Sequence, residues 1–283
     1  MKRIQVTHET VYYYKIPVFL GVHRALVRPR EGHDVHIESS RLAIEPQAEV
    51  RWIRDIYGNS IAVLTFAGSS QKLSLFSELV VAHYDENPLD FLIDPNALSY
   101  PFQYAADEQI ELIPYRLSSY PRDGAALNLW LADLYTPGQL INTFELLKLL
   151  NTRVYESFHY APREEPGVQT PAETIELGSG SCRDYAVLFM EASRQWGFGA
   201  RFVTGYIQMD QGQQGATHAW TEIYIPGAGW RGFDPTNNSF AGAGHVSIAV
   251  ARDAEKASPL SGIWEGPADA FDRMEVSVKV VPV

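Results

Sequence analysis

The chain has 283 residues, 46% of them hydrophobic and 20% charged, with a single cysteine and a formal net charge of −11. That length is comfortable for two domains and can bury a full core without disulfides or metals. The acidic balance argues against a nucleic-acid binder, whose footprint is a basic patch. One cysteine excludes an intramolecular disulfide and any zinc site built on several cysteines.

No stretch approaches the roughly 18 apolar residues that span a bilayer. The start, Met1-Lys2-Arg3-Ile4-Gln5-Val6-Thr7-His8, carries basic residues with no apolar region behind them. It does not read as a secretory leader, so a cytoplasmic location without membrane contact is expected.

Residues 1–86 read as a β-rich domain. Residues 41–45 alternate, as does the run around Val50, Trp52 and Ile53. That run meets Tyr57-Gly58-Asn59-Ser60, a hairpin signal, before residues 61–66, and a further strand is expected over residues 73–81. Short strands with turn signals predict a β-sandwich or small barrel. Residues 87–124 hold five prolines (88, 95, 101, 114 and 121) and little periodicity, the mark of a connecting segment.

Residues 125–283 form the expected second domain. Asp123 can cap a helix over residues 125–135, and Thr136-Pro137 offers an N-cap followed by proline at the first helical position. Leu140, Phe144, Leu147, Val154 and Phe158 lie on one stripe and predict an amphipathic helix to about residue 160. A loop over residues 162–181 follows. Residues 182–196 are apolar nearly all round, which predicts a central buried helix ended by Gly197 and Gly199. Strands are expected over 200–209, 217–225, 230–234 and 274–281, the last with Val276, Val278 and Val280 inward. Helices first and strands after give an α+β domain.

Cys182 sits where the loop Gly178-Ser179-Gly180-Ser181 enters that buried helix. A lone cysteine is either a small buried apolar residue or a nucleophile. The first turn of a helix has unpaired N–H groups and the positive end of the dipole, and both favour a thiolate, the reactive form. The same N–H groups can receive the oxyanion formed when sulfur attacks a carbonyl. In residues 217–225, His218, Trp220 and Tyr224 share one strand face. His218 alone could be a half-buried structural histidine; beside a nucleophile it is a candidate base. Asp234 ends the strand 230–234, and the turn Pro226-Gly227-Ala228-Gly229 folds that strand back beside His218. A carboxylate there can accept the histidine Nδ1–H and fix the tautomer. Taken by itself, Asp234 before Pro235 is equally a turn-former. Glu222, four residues along the strand from His218, is roughly 13 Å away and too far. Asp184 lies about 200° round the helix from Cys182, so it is expected to tie down local backbone.

The blocks Gly178-Ser179-Gly180-Ser181-Cys182-Arg183-Asp184-Tyr185-Ala186, Ala200-Arg201-Phe202-Val203-Thr204-Gly205-Tyr206, Thr217-His218-Ala219-Trp220-Thr221-Glu222-Ile223-Tyr224 and Gly229-Trp230-Arg231-Gly232-Phe233-Asp234-Pro235-Thr236-Asn237 together resemble the core of bacterial transglutaminase-like proteins, many labelled cysteine proteases by name alone. Leu26-Val27-Arg28-Pro29-Arg30 and Asp55-Ile56-Tyr57-Gly58-Asn59 resemble the β domain that precedes this core, and the tail around residues 250–262 is similar too. The resemblance implies a papain-like, transglutaminase-core fold after an N-terminal β-sandwich, with catalytic roles for Cys182, His218 and Asp234. It implies an oxyanion hole made by the Cys182 N–H and a side-chain donor. Gln169 in the preceding loop is a candidate, and Trp220 is a candidate oxyanion or substrate contact. Large animal transglutaminases use calcium, but nothing here reads as their calcium sites or as an EF-hand, so no cofactor or metal is expected.

The implied chemistry is acyl transfer on a peptide, protein or small amide substrate through a thioester, with hydrolysis favoured over transamidation. A non-catalytic binding protein that keeps the fold is the alternative class. A metal hydrolase would rest on His33-Asp34-Val35-His36, a weak spacing in the β domain that two exposed loop histidines explain as well.

Overall fold

In the computed structural model, which describes residues 1–84, 86–163, 165–208 and 217–283, the N-terminal part holds β1 (Lys2–Arg28), β2 (Val35–Glu45), β3 (Ala48–Arg54), β4 (Ser60–Phe66) and β5 (Ser69–His83). The principal helices are α1 (Gly124–Leu131), α2 (Thr143–Ser157), α3 (Pro171–Leu177) and α4 (Cys182–Gln195). The closing strands are β6 (Gly199–Ile207), β7 (Thr217–Ile225), β8 (Gly229–Asp234), β9 (His245–Ala251), β10 (Leu260–Glu265) and β11 (Phe271–Pro282). Met209, expected at the end of a strand, lies outside the described residues.

β1 runs for 27 residues and organises the first domain. Its first half lies between β5 and β11, its second half between β4 and β10. The register against β5 breaks between Tyr13 and Val18. Pro17 stands in this gap, where its missing N–H breaks no ladder bond. Leu75, Tyr12, Leu42 and Ile44 then pack against Ala25, Val27, Ala62 and Leu64. The result is a β-sandwich whose layers share one strand.

β10 and β11 pair with β1, so residues 260–282 belong to the first domain and not to a second domain running to residue 283. The physical reason is that β1 would otherwise expose a row of unpaired N–H and C=O groups. Val278 and Val280 are buried as the alternation predicts, but Val276 is 49% exposed.

The second sheet is antiparallel, ordered β8-β7-β6-β9, with a two-residue strand, Ser239–Phe240, beyond β8. α4 packs on it: Tyr185, Val187, Leu188 and Phe189 join Phe202, Ile223 and Phe233 in one core. Every residue of α4 from Asp184 to Arg194 is buried, as its all-round apolar pattern requires. The charged exceptions are paired. Glu191 and Arg194 meet at 2.6 Å, and Arg194 also donates to the carbonyls of Ala200 and Arg252.

The connecting segment over residues 87–124 is a strap held against the core. Phe91, Ile93, Tyr100, Phe102 and Tyr120 pack on the core, and the Tyr104 hydroxyl donates to the Tyr224 carbonyl at 2.9 Å. Helix starts also differ from expectation. Gly138 turns at φ 90°, so Thr136-Pro137 opens no helix. α2 begins instead where Asn142 Oδ1 accepts the Glu145 N–H at 3.1 Å. Leu140 is left outside and 76% exposed. Asp123 does precede α1, but its carboxylate accepts the Ala172 N–H of α3 at 3.0 Å.

The two domains share an apolar contact in which Ile4, Val6, Leu79 and Val278 meet Tyr206, Val246 and Ile248. His8 lies there, 2% exposed, with Nδ1 at 2.7 Å from the Tyr206 hydroxyl and Nε2 at 2.9 Å from Thr10 Oγ1. Burial pushes His8 down to about 4. It therefore binds a proton less readily folded than unfolded. Its contribution is present above its ordinary 6.5 and is lost as pH falls through about 4. Urea unfolding at pH 7 and pH 4 is expected to show that wild type loses more stability than His8→Gln, by up to about 3 kcal/mol. Equal losses would remove His8 as the cause.

Candidate active site

The site is built at the start of α4. Asp184, wholly buried, accepts the Ser181 N–H (2.8 Å) and Oγ–H (2.7 Å) on Oδ2. On Oδ1 it accepts the Gln169 N–H (2.7 Å) and an Arg163 N–H (2.8 Å). Burial opposes its charge, but these donors outweigh burial and hold its carboxyl below the ordinary range. Asp184 thus pins the preceding loop to the first turn, the role expected of it. Gly180 is required beside it: a Cβ there would lie 2.9 Å from the Asp184 Cβ and 3.1 Å from Gln169 Oε1. Asp184→Ala leaves Arg163 and three further donors without their acceptor. It is expected to cost about 3 kcal/mol in urea unfolding, the scale of a broken buried ion pair; a loss within 0.5 kcal/mol, about that of a neutral surface change, would contradict this.

Cys182, the first residue of α4, is partly exposed. Facing it, His218 on β7 is 7% exposed. Burial alone would lower His218, but hydrogen bonds to Asp234 and Cys182 and their charges outweigh it and raise the group to about 10. β7 and β8 form the expected hairpin, with Thr221 opposite Phe233 and Asp234 one residue further along. The histidine–carboxylate bond runs from Nε2 to Asp234 Oδ2 at 2.8 Å, not from Nδ1 as expected. The reason is the hairpin register, which brings the Asp234 carboxylate to the Nε2 side of the ring.

Asp234 is wholly buried and accepts five hydrogen bonds. Oδ2 takes His218, Asn237 Nδ2 (2.7 Å) and His245 Nε2 (3.1 Å). Oδ1 takes the backbone N–H groups of Thr236 (3.0 Å) and Asn237 (3.3 Å). Burial opposes the charge, but the two histidines outweigh it and hold the carboxyl far below its usual range.

The other candidates fall in different places. Trp220, the candidate oxyanion or substrate contact, is enclosed by the protein. It is 1% exposed, stacks on His218 with centroids 6.1 Å apart, and packs with Val203 and Val250. Its face of β7 is covered by neighbouring strands, which the alternation of one strand cannot reveal. Gln169 lies beside Gly180, two residues from the sulfur, with its Oε1 accepting the Thr174 hydroxyl at 3.1 Å. Glu222 pairs with Arg201 at 2.6 Å, away from the site. His36 is exposed and meets Glu31 at 3.0 Å, and it joins no third metal-type ligand among the described residues.

Asn237, His245 and Tyr160 are not identified as site residues by the sequence. His159–Tyr160 forms a short parallel pair with Ser179–Gly180, which sets Tyr160 beside Gly180. Burial, then the charge of Cys182, pushes Tyr160 up to about 12. For His245, the alternation of residues 245–251 is the one available signal.

One ligand atom each of His218, Asp234 and His245 lies within 4.8 Å of the others, close enough to suggest a cation site. Their contacts are those of N–H groups closing on a carboxylate. His245 Nδ1 accepts the Gly242 N–H at 3.4 Å, so its proton sits on Nε2 and points at Asp234.

Residues 4–82 match the bacterial transglutaminase-like N-terminal region, and residues 135–235 match the transglutaminase-like superfamily. An uncharacterized protein of Mycobacterium tuberculosis is 26% identical, with 99% of this chain and 93% of the relative covered. One from Mycobacterium leprae is 23% identical, covering 94% of each. A Cytophaga hutchinsonii protein, named provisionally as a cysteine protease, has a crystal structure with a TM-score of 0.74 and 21% identity, covering 99% of this chain and 91% of its own. That likeness shows the fold. Among the described residues no helix is long and apolar enough to cross a membrane.

Proposed function

We propose that this transglutaminase-like protein, a bacterial transglutaminase-like N-terminal region joined to a transglutaminase-like superfamily core, is a thiol-dependent acyl-transfer enzyme that hydrolyses peptide or amide bonds. The observation that carries this reading is the chain from Cys182 through His218 to Asp234 at the start of a buried helix. The sulfur attacks the substrate carbonyl and forms a C–S bond. The resulting oxyanion is received by the Cys182 N–H and by a side-chain donor, for which the Gln169 amide is the candidate. Protonated His218 gives its Nδ1 proton to the leaving amine as the C–N bond breaks, leaving a thioester. Water then attacks the thioester and loses a proton to His218, and the acid departs as sulfur recovers its electron pair. Partial exposure of Cys182 supports water as the acceptor; an amine in the same position would give transamidation.

The test is alkylation. Iodoacetamide is expected to modify Cys182 at about pH 6 at least tenfold faster than it modifies a model thiol, because a free thiol near 8.5 is almost wholly protonated there. A rate equal to the model thiol would refute an activated sulfur. A screen of amide and peptide substrates with and without added amine then separates hydrolysis from transamidation. Products bearing the amine would overturn hydrolysis, and turnover by neither route would favour a binding role.

A further inference from the structure

We propose that His245 is a positioning residue of this site: its Nε2–H holds Asp234, and through Asp234 it aims His218 at Cys182. The inference rests on the catalytic reading of those three residues.

His245 comes from outside the hairpin. It opens β9, which pairs with β6 on the side of that strand away from β7, with Ile207 opposite His245. It is 9% exposed, so its ring nitrogens depend on protein partners. Both have them. Nδ1 accepts the Gly242 N–H at 3.4 Å, and Nε2 lies 3.1 Å from Asp234 Oδ2. A backbone N–H can only donate, so Nδ1 is the acceptor and Nε2 carries the proton. The protein backbone therefore selects the tautomer that donates to the carboxylate.

The oxygen it holds is the one His218 uses. A carboxylate held only by His218 and the adjacent turn could swing about the end of β8. His245 ties it to β9 and hence to a second part of the sheet. Trp220 packs against both rings, whose own centroids lie 6.2 Å apart: it is stacked on His218 and edge-on to His245 at 5.2 Å. A Cβ on Gly205 would lie 2.5 Å from the Trp220 ring and 2.3 Å from the Val246 carbonyl, so this packing leaves no slack. The two histidines differ in what remains. His218 also interacts with Cys182, whereas both His245 nitrogens are occupied by Gly242 and Asp234. His245 therefore positions, and does not touch substrate.

The experiment compares wild type, His245→Gln and His245→Phe by the rate of iodoacetamide alkylation of Cys182 at about pH 6. Nitrogen-15 NMR of the histidines in the wild-type protein accompanies it. His245→Phe removes the donor and is expected to slow alkylation about tenfold, the scale of one lost hydrogen bond to a charged group. His245→Gln can place an N–H near the position of Nε2 and is expected to restore the rate to within about threefold, which filling the space alone would not do. NMR is expected to find a proton on His245 Nε2 and an accepting Nδ1. Fast alkylation in wild type and undiminished alkylation in His245→Phe would overturn positioning while leaving the catalytic reading intact. A slow, ordinary rate in wild type would overturn the catalytic reading and this proposal with it. Should His245→Phe fail to fold, the glutamine variant and the NMR result decide: a proton on Nδ1 alone, or loss of rate in His245→Gln, overturns the proposal.

Discussion

Cys182→Ala is expected to abolish thiol-dependent turnover, lowering it by at least about ten-thousand-fold, while the protein stays folded. The catalytic side of this expectation follows from the absence of any replacement. The chain has one cysteine, and removing the nucleophile leaves His218 with nothing to activate. The folding side follows from position. Cys182 is partly exposed at the first turn of α4, so the change opens no sealed cavity, and alanine is the better helix former. Stability is expected to stay within about 1 kcal/mol of wild type. The check is activity on whichever substrate wild type turns over, alongside thermal unfolding. Turnover that survives in Cys182→Ala would sink the thioester mechanism. Lost activity together with lost structure would instead make Cys182 a structural residue.

Asp234→Asn is expected to reduce activity by roughly ten-thousand-fold and also to destabilise the protein by about 2–4 kcal/mol. All five partners of Asp234 are donors. An amide has one oxygen, so in either orientation its NH2 faces donors. One orientation sets it against the backbone N–H groups of Thr236 and Asn237, the other against His218, His245 and Asn237. The fold loses hydrogen bonds and the imidazole loses the charge that keeps it protonated.

The pH dependence of this loss follows from the two shifts. His218 is raised from 6.5 to about 10, so its contribution is complete below about 6.5 and lost as pH rises through about 10. Asp234 is lowered from 3.8, so its contribution is present above that value and lost as pH falls through its lower folded value. The stability gap between wild type and Asp234→Asn is therefore expected to be widest between about pH 4 and 6.5 and to narrow on both sides. Urea unfolding across that range is the measurement. A gap that stays constant, or widens toward pH 10, would contradict a histidine–carboxylate ion pair.

The predicted features that hold in the structure are local ones. Alternation places β4 and β8 within a residue or so, and the all-round apolar run places α4. The Gly-Ser loop before Cys182 marks a helix start because glycine and serine suit the turn and the cap. The Pro226-Gly227-Ala228-Gly229 turn brings Asp234 back toward His218 because hairpin register depends on turn length. The features missed depend on segments distant in sequence. Helix α2 starts at Thr143 because a glycine turn separates it from the earlier proline. The strap over residues 87–124 has no periodicity of its own, yet its aromatic residues are held by the core. β11 has a legible strand pattern, but the pattern does not say which sheet it joins.

Cys182 at a helix start and His218 and Asp234 on one hairpin were therefore determined by the amino-acid sequence alone, through caps, turns and a period of two acting over a few residues. Only the tertiary structure decided which imidazole nitrogen meets the carboxylate, that Trp220 is sealed beneath His218, that residues 260–282 return to the first domain, and that His245 completes the ring of donors around Asp234. Those outcomes were selected by the burial of apolar faces and by the need to pair enclosed charges. Both operate between strands that the chain brings together only when it folds.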